Sequence, residues 1–244
     1  MRLIWSDIDF NSETEFEEGK VLSVESANLR LFSRLVHALR EDSEIAYILE
    51  NEKRLNLEQE SCIICDYFNL VDKEKAILNK LHKDVEKLYQ GDEEIIKLVA
   101  DVEIACEKAL GYICSSYNID FEWRVPDSLG EYLKFLSFKP NGGFSSSCDG
   151  LLNLIETIAK IKLYKVVILV NAKSFFEPKQ IQEIMKVCVY SGQRVIFLDN
   201  INTPQTYECE KKILIDEDCY DILLNRENYP SDSGSEVLIS SLRF

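Results

Sequence analysis

The sequence is poor in the residues that common catalytic and metal-binding motifs require. Its 244 residues include only two histidines, His37 and His82, and nine glycines. A structural zinc site needs two cysteine pairs, or one pair with two closely spaced histidines, so the pair Cys62 and Cys65 favours buried core thiols instead. The sequence Gly-x-Ser-x-Gly, which forms the nucleophile elbow of many hydrolases, does not occur.

Positive charge is also scarce. The chain has 28 basic and 43 acidic residues, which gives a net charge of −15 at neutral pH. Phosphate backbones repel such a protein, so a general nucleic-acid coat is excluded, but binding at one basic patch or through a bridging cation is not. The window from Lys134 to Arg194 holds nine basic and four acidic residues. It is a candidate for such a patch, and a solvated rim around the sheet is the alternative interpretation.

Long apolar runs are missing as well. The longest, Val166–Val170, is far shorter than the roughly 20 residues that cross a bilayer. The amino-terminal residues do not resemble a signal peptide. We therefore expect a cytoplasmic protein whose eight cysteines are reduced.

The order of segments predicts an α/β fold that carries a helical arm. Apolar residues at helical spacing indicate two long helices, broken at Gly91-Asp92, with Asp92 as an N-cap. The runs 165–171 and 194–199 are typical of buried parallel strands, and a helix at 178–190 joins them. The predicted domains are an α/β head at 1–71 and 117–226, a helical arm, or leg, at 72–116, and a C-terminal tail at 227–244.

The strand that ends at Asp199 permits an enzymatic interpretation. It resembles the strand that places a metal-binding aspartate in P-loop enzymes. Those enzymes also need a glycine-rich loop that ends in Lys-Ser or Lys-Thr and cradles phosphates, whereas Gly142-Gly143 is followed by Phe-Ser. A degenerate P-loop-like NTPase or nucleotide kinase that uses Asp199 is the alternative function.

Asp120 and Glu122 form a second candidate site. They are two residues apart, so an extended backbone directs both carboxylates to one side. Hard oxygen ligands of this kind suit Ca²⁺ or Mg²⁺. A solvated polar edge is the alternative interpretation of the same spacing.

Several segments in their order along the chain resemble one known family. The chain is similar to the accessory spacer-acquisition proteins of type II-A CRISPR loci, the Csn group, over about residues 2–222. The segments that carry the resemblance are 62–70, 77–86, 165–172, 180–184, 195–199 and 215–220.

The resemblance implies both a fold and a function. Members have an α/β head like that of a P-loop ATPase without its nucleotide loop, and a helical leg. Four copies close into a ring that holds the ends of linear double-stranded DNA, and calcium ions bound by acidic residues stabilise it. The proteins act in spacer acquisition beside the CRISPR integrase proteins and the effector nuclease of the locus, with no catalysis of their own.

The same resemblance implies individual site residues. Arg124 stands where the family has an acidic residue, so a fixed cation there could replace one calcium ion. The implied calcium ligands are Asp120, Glu122, Asp149 and Glu156, and the implied DNA-facing residues are Lys134 and Lys139.

Overall fold

The computed structural model describes residues 1–6, 14–16, 19–117, 121–126, 128–140, 144, 148–203, 205–215 and 221–224. The chain forms two compact units: a sheet unit, Met1–Tyr67 with Tyr164–Phe244, and a helical unit, Phe68–Leu163. The predicted arm lies inside the helical unit, which also takes in residues 117–163, assigned by the sequence to the head. The division into independently folding domains stays a prediction, and the predicted tail lies outside the described residues.

The sheet unit combines two sheets with the helices that connect their strands. In chain order its elements are β1 (Arg2–Trp5), β2 (Thr14–Glu15), β3 (Val21–Ser26), α1 (Leu29–Arg40), β4 (Ala46–Glu50), β5 (Lys53–Arg54), α2 (Leu57–Glu60), β6 (Ser61–Ile64), β7 (Val166–Val170), α7 (Ala172–Phe175), α8 (Pro178–Ser191), β8 (Arg194–Asp199), β9 (Glu210–Ile215) and β10 (Asp221–Leu224).

The larger sheet has six strands in the order β10-β9-β3-β8-β7-β6. Its neighbours are parallel except for β9 and β10, which are antiparallel. Every residue of β7 is buried, as expected of a parallel strand covered on both faces. The mixed α/β class and the two predicted central strands are therefore confirmed.

The smaller sheet is antiparallel, with the order β2-β1-β4-β5. It shares one apolar core with α1 and with one face of the larger sheet. The side chain of Asn28 accepts a hydrogen bond from the Leu31 amide and so caps α1, whose apolar stripe turns into this core. The buried members include Trp5 of β1, Leu35 and Leu39 of α1, and Val24 and Ile213 of the larger sheet.

The helical unit contains α3 (Val71–Tyr89), α4 (Glu93–Ser115), α5 (Leu129–Phe135) and α6 (Cys148–Ile161). Between α3 and α4 the chain turns at Gly91, whose φ of 91° favours glycine. Asp92 then caps α4 by accepting hydrogen bonds from the amides of Glu94 and Ile95, which confirms the predicted break and cap. Helix α3 contacts α5 and α6, whereas α4 has no buried residue.

Two further features of the described residues concern membrane spans and cysteines. Among these residues, no helix is both long enough and apolar enough to span a bilayer. The seven cysteines among them are free thiols.

Helix α1 provides a matched test of the core. Replacing Leu35, which is 1% exposed, by alanine should lower the free energy of unfolding by about 2–5 kcal/mol, because the cavity cannot fully collapse. Replacing Leu29, which is 65% exposed, should change that free energy by at most about 0.5 kcal/mol. Urea titration of both variants measures the difference, and equal losses would contradict the assigned face of α1.

Candidate functional site

Lys134 lies in the last turn of α5. The helix is capped by Ser128, whose hydroxyl accepts a hydrogen bond from the Glu131 amide at 3.3 Å. A cation at the carboxyl end of a helix interacts favourably with the unpaired carbonyl groups there. The side chain of Lys134 is exposed to solvent, as a phosphate-binding role would require.

A tight turn after α5 brings the chain back towards α3. The amide of Phe138 donates to the carbonyl of Leu133 at 2.8 Å, and Ser137 has a φ of 53° in the left-handed region. After the turn, the ammonium of Lys139 lies 3.8 Å from a carboxylate oxygen of Glu74 on α3. Because the chain reverses here, two lysines five residues apart come to the same part of the helical unit.

The two lysines line one cleft of about 440 Å³ between α3 and the turn after α5, which we call the lysine cleft. On its α3 side, the ring Nε2 of His82 donates to the Phe138 carbonyl at 2.8 Å and joins the two walls. Lysines outnumber carboxylates three to one in the lining, which leaves two positive charges in excess. The charged residues of the lining are Lys75, Lys134, Lys139 and Glu74.

The rest of the cationic window does not form one patch. Lys165 makes ion pairs with Glu50 at 3.0 Å and Glu60 at 2.6 Å, and Arg194 pairs with Glu50 at 2.8 Å. These carboxylates come from residues before the window, so counting charges within it overestimated its positive charge. Lys173 of the same window is buried.

The implied calcium ligands are not assembled by the described residues of one chain. Asp120 lies outside the described residues, and Glu122 is exposed. Asp149 and Glu156 lie on α6 seven residues apart, about 10.5 Å along its axis, whereas each ligand oxygen must come within about 2.3–2.6 Å of the ion. Among the described residues no group of three or more candidate side chains could hold a metal.

Two of the carboxylates in this part of the chain are paired with neighbouring basic side chains. Glu156 accepts a hydrogen bond from the ammonium of Lys160 at 3.1 Å. The guanidinium of Arg124 lies 3.0 Å from the carboxylate of Glu131. Arg124, the residue that departs from the family pattern, therefore pairs with a carboxylate of α5.

A second group of charged residues is buried in the sheet unit. Of its members, the sequence had indicated a candidate site only at Asp199. The ammonium of Lys173 contacts Glu25 of β3, at 2.8 Å, and Glu210 of β9. The ammonium of Lys212 lies 3.0 Å from a carboxylate oxygen of Glu25. Asp199 of β8 accepts a hydrogen bond from the Lys173 amide at 2.8 Å. We call these five residues the charge network.

Burial and pairing divide the network into charged and neutral groups. Burial raises the pKa of Asp199 to about 7; the Lys173 amide and ammonium oppose this shift only in part, while Glu25 and Glu210 add to it. Burial also raises the pKa of Glu25, but the charge and hydrogen bond of Lys173 together with the hydrogen bonds from Thr203 outweigh it, so the net pKa is below its usual value. With Asp199 protonated, the network holds two carboxylates, Glu25 and Glu210, and two ammonium groups, Lys173 and Lys212, whose formal charges sum to zero.

This geometry gives little support to nucleotide hydrolysis at Asp199. Its side chain is 0% exposed, which leaves no access for a metal-bound nucleotide. The connection between β3 and α1, where a phosphate loop would lie, consists of Ala27 and Asn28, and the Asn28 side chain already occupies the first turn of the helix. The sequence could have signalled the network through charged residues inside apolar strands, such as Glu25.

Asp199→Asn should change the pH dependence of stability. A carboxyl group whose pKa is higher in the folded than in the unfolded state destabilises the protein progressively as pH rises from about 4 to about 7. Asparagine stays neutral and keeps the oxygen that accepts the Lys173 amide, so the variant should lose this decline, which is worth about 2–4 kcal/mol.

Urea titrations from pH 5 to pH 8 measure this effect. The control is Glu183→Gln, which also removes a carboxylate, at an exposed position of α8; it should follow the wild type at every pH. Parallel curves for wild type and Asp199→Asn would contradict a neutral, buried Asp199.

Comparison with known proteins identifies the family. The family model of the CRISPR-associated protein Cas_Csn2 matches residues 39–219, well over half of the chain. The matched range includes the lysine cleft and four strands of the parallel sheet. A comparison with curated proteins finds no match. The chain therefore belongs to the Cas_Csn2 family of CRISPR-associated proteins.

Proposed function

We propose that this protein binds the ends of linear double-stranded DNA during CRISPR spacer acquisition, as a non-enzymatic, calcium-assisted homotetrameric ring in the cytoplasm. The observation that carries the proposal is the lysine cleft. It brings Lys134 and Lys139, the two predicted DNA-facing residues, into one cationic cleft together with Lys75.

The charge distribution supports local rather than general DNA binding. The protein as a whole carries −15, so most of its surface repels phosphate. The lysine cleft has the opposite sign, and a symmetric ring would repeat it around one opening. Contacts of this kind are made to phosphates, so binding should be independent of sequence and should weaken steeply with salt.

Helix α4 supports assembly. None of its 23 residues is buried, although it carries several large apolar side chains. Four of these side chains, Leu98, Val102, Tyr112 and Ile113, fall within about 100° around the helix axis. An exposed apolar face of this kind marks an interface more often than a free surface. The exposed side chains are Ile96, Leu98, Val102, Ile104, Tyr112 and Ile113. In a homotetramer, a second copy of the chain would cover this face of α4.

The proposals that calcium is bound and that the head is like that of a P-loop ATPase rest on the family resemblance. The described residues of one chain do not form a calcium site, so ligands from Asp120 or from another copy would have to complete it. A head like that of a P-loop ATPase without its nucleotide loop agrees with the parallel sheet and with the short connection between β3 and α1. Nucleotide hydrolysis, the alternative function, has less support because Asp199 is buried.

The partners of the proposed complex follow from the pathway. Membership of the Cas_Csn2 family places the chain among CRISPR-associated proteins. We infer that it acts beside the integrase proteins and the effector nuclease of its locus. A DNA-end holder without its own chemistry would need such enzymes to process and insert the DNA.

Reversing the charge of the cleft should abolish DNA binding. Lys134→Glu combined with Lys139→Glu replaces two phosphate contacts by repulsion, so affinity for linear duplex should fall at least about tenfold. Gel-shift titrations with linear and covalently closed duplex, with and without calcium, measure the affinity.

The matched control is Lys53→Glu with Lys179→Glu, which changes the net charge equally at two exposed positions of the sheet unit. It should bind like the wild type. Equal binding of closed circles and linear duplex by the wild type would contradict a ring threaded on DNA ends.

A charge on α4 should weaken assembly. Val102 is 48% exposed in one chain, and Val102→Glu would place an unpaired carboxylate in an apolar interface. We expect the tetramer to dissociate into smaller species, as measured by light scattering. Gln182→Glu, which adds the same charge to an exposed position of α8, should leave the tetramer intact. A wild type that is monomeric with DNA and calcium present would refute the proposed ring.

A further inference from the structure

Two large apolar side chains stand exposed beside the lysine cleft. Phe135 is 71% exposed and Leu136 is 69% exposed. In sequence they lie between Lys134 and Lys139, both of which line the cleft. We call Phe135 and Leu136 the apolar tip.

The backbone on both sides of the tip is held in place. The amide of Leu136 donates to the carbonyl of Tyr132 at 2.8 Å, and that of Ser137 donates to Lys134 at 3.0 Å. On the far side, Phe138 is fixed through its amide, bonded to Leu133, and through its carbonyl, bonded to His82. A closed turn therefore fixes the backbone of the tip, and both of its side chains remain largely exposed.

Cations beside exposed apolar groups fit a ligand that is both anionic and apolar. The lysine cleft has two positive charges in excess and attracts phosphate, while the tip needs an apolar partner at close range. Within a duplex the flat faces of internal base pairs are covered by stacking. Only the last pair of a DNA end exposes one face beside its phosphates.

We propose that Phe135 and Leu136 pack on the exposed face of the terminal base pair while the neighbouring lysines hold its phosphates. This inference rests on the proposed DNA binding and adds the group that recognises the end itself. Stacking of a base on an aromatic ring is tolerant of sequence, because every base has such a face. A ring admits linear DNA by topology, and the tip adds affinity for the end.

The test uses a blunt duplex that carries 2-aminopurine either in its terminal pair or at an internal position. Binding of the wild type should change the fluorescence of the terminal probe and leave the internal probe nearly unchanged. Phe135→Ala combined with Leu136→Ala should lose the terminal signal and bind the duplex about 5- to 100-fold more weakly. Phe135→Trp should keep the terminal signal, because it retains an aromatic ring.

Two controls separate this role from a loss of structure. Tyr190→Ala removes an aromatic ring that is 86% exposed on α8 of the sheet unit, and it should behave like the wild type. Because the tip is exposed, thermal unfolding of the double alanine variant should match that of the wild type.

Failure of this inference differs from failure of the proposed function. If the wild type binds the duplex and the double alanine variant binds equally well, the tip has no role at the end. If the wild type binds no duplex at all, DNA binding itself is wrong and the tip falls with it.

Contact of the tip with either of two other partners would also overturn the inference. Phe135 and Leu136 also line an apolar groove beside α4, so dissociation of the double alanine variant in light scattering would assign the tip to contact between copies. Binding of wild type, but not of the variant, to vesicles of anionic lipid would assign it to a membrane surface.

Discussion

The sheet unit depends on the pairing of Lys173 inside it. This one residue contacts three neighbouring strands, through its ammonium to Glu25 and Glu210 and through its amide to Asp199. A buried ion pair adds little net stability, but removing one partner leaves an uncompensated charge that costs about 3–5 kcal/mol. The pairing therefore constrains how the strands and the first turn after β7 can be arranged, and it keeps Asp199 away from solvent.

The same constraint bears on function. A sheet of parallel strands usually binds ligands beyond the carboxyl ends of its strands. Here the aspartate at the end of β8 is enclosed with two lysines that already neutralise its neighbours. The described residues thus use this position for internal pairing, and the groups suited to bind an anion lie in the helical unit instead.

In the helical unit, local charge matters more than the sum over the chain. Several basic residues after residue 134 are matched by carboxylates from elsewhere in the sequence, as Lys165 and Arg194 are by Glu50. The lysine cleft keeps an excess of positive charge because Glu74 is the one carboxylate among its described lining residues. The exposed apolar side chains of α4 form a second surface. We propose that the cleft binds an anionic ligand and that α4 contacts another copy of the chain.

The amino-acid sequence by itself determined the buried strands β7 and β8, helices α3, α4 and α8, and the cap at Asp92, because apolar periodicity and capping act over a few neighbouring residues. It did not predict β4 or β9, because pairing with the distant strands β1 and β3 stabilises them. It did not predict β5 and α2 either, which at two and four residues are too short to show a periodic pattern. Only the tertiary structure decided which charges meet. Lys75 joins Lys134 and Lys139 in one cleft, and Glu25 meets residues from the far end of the chain, because such contacts depend on how the chain folds back rather than on local sequence.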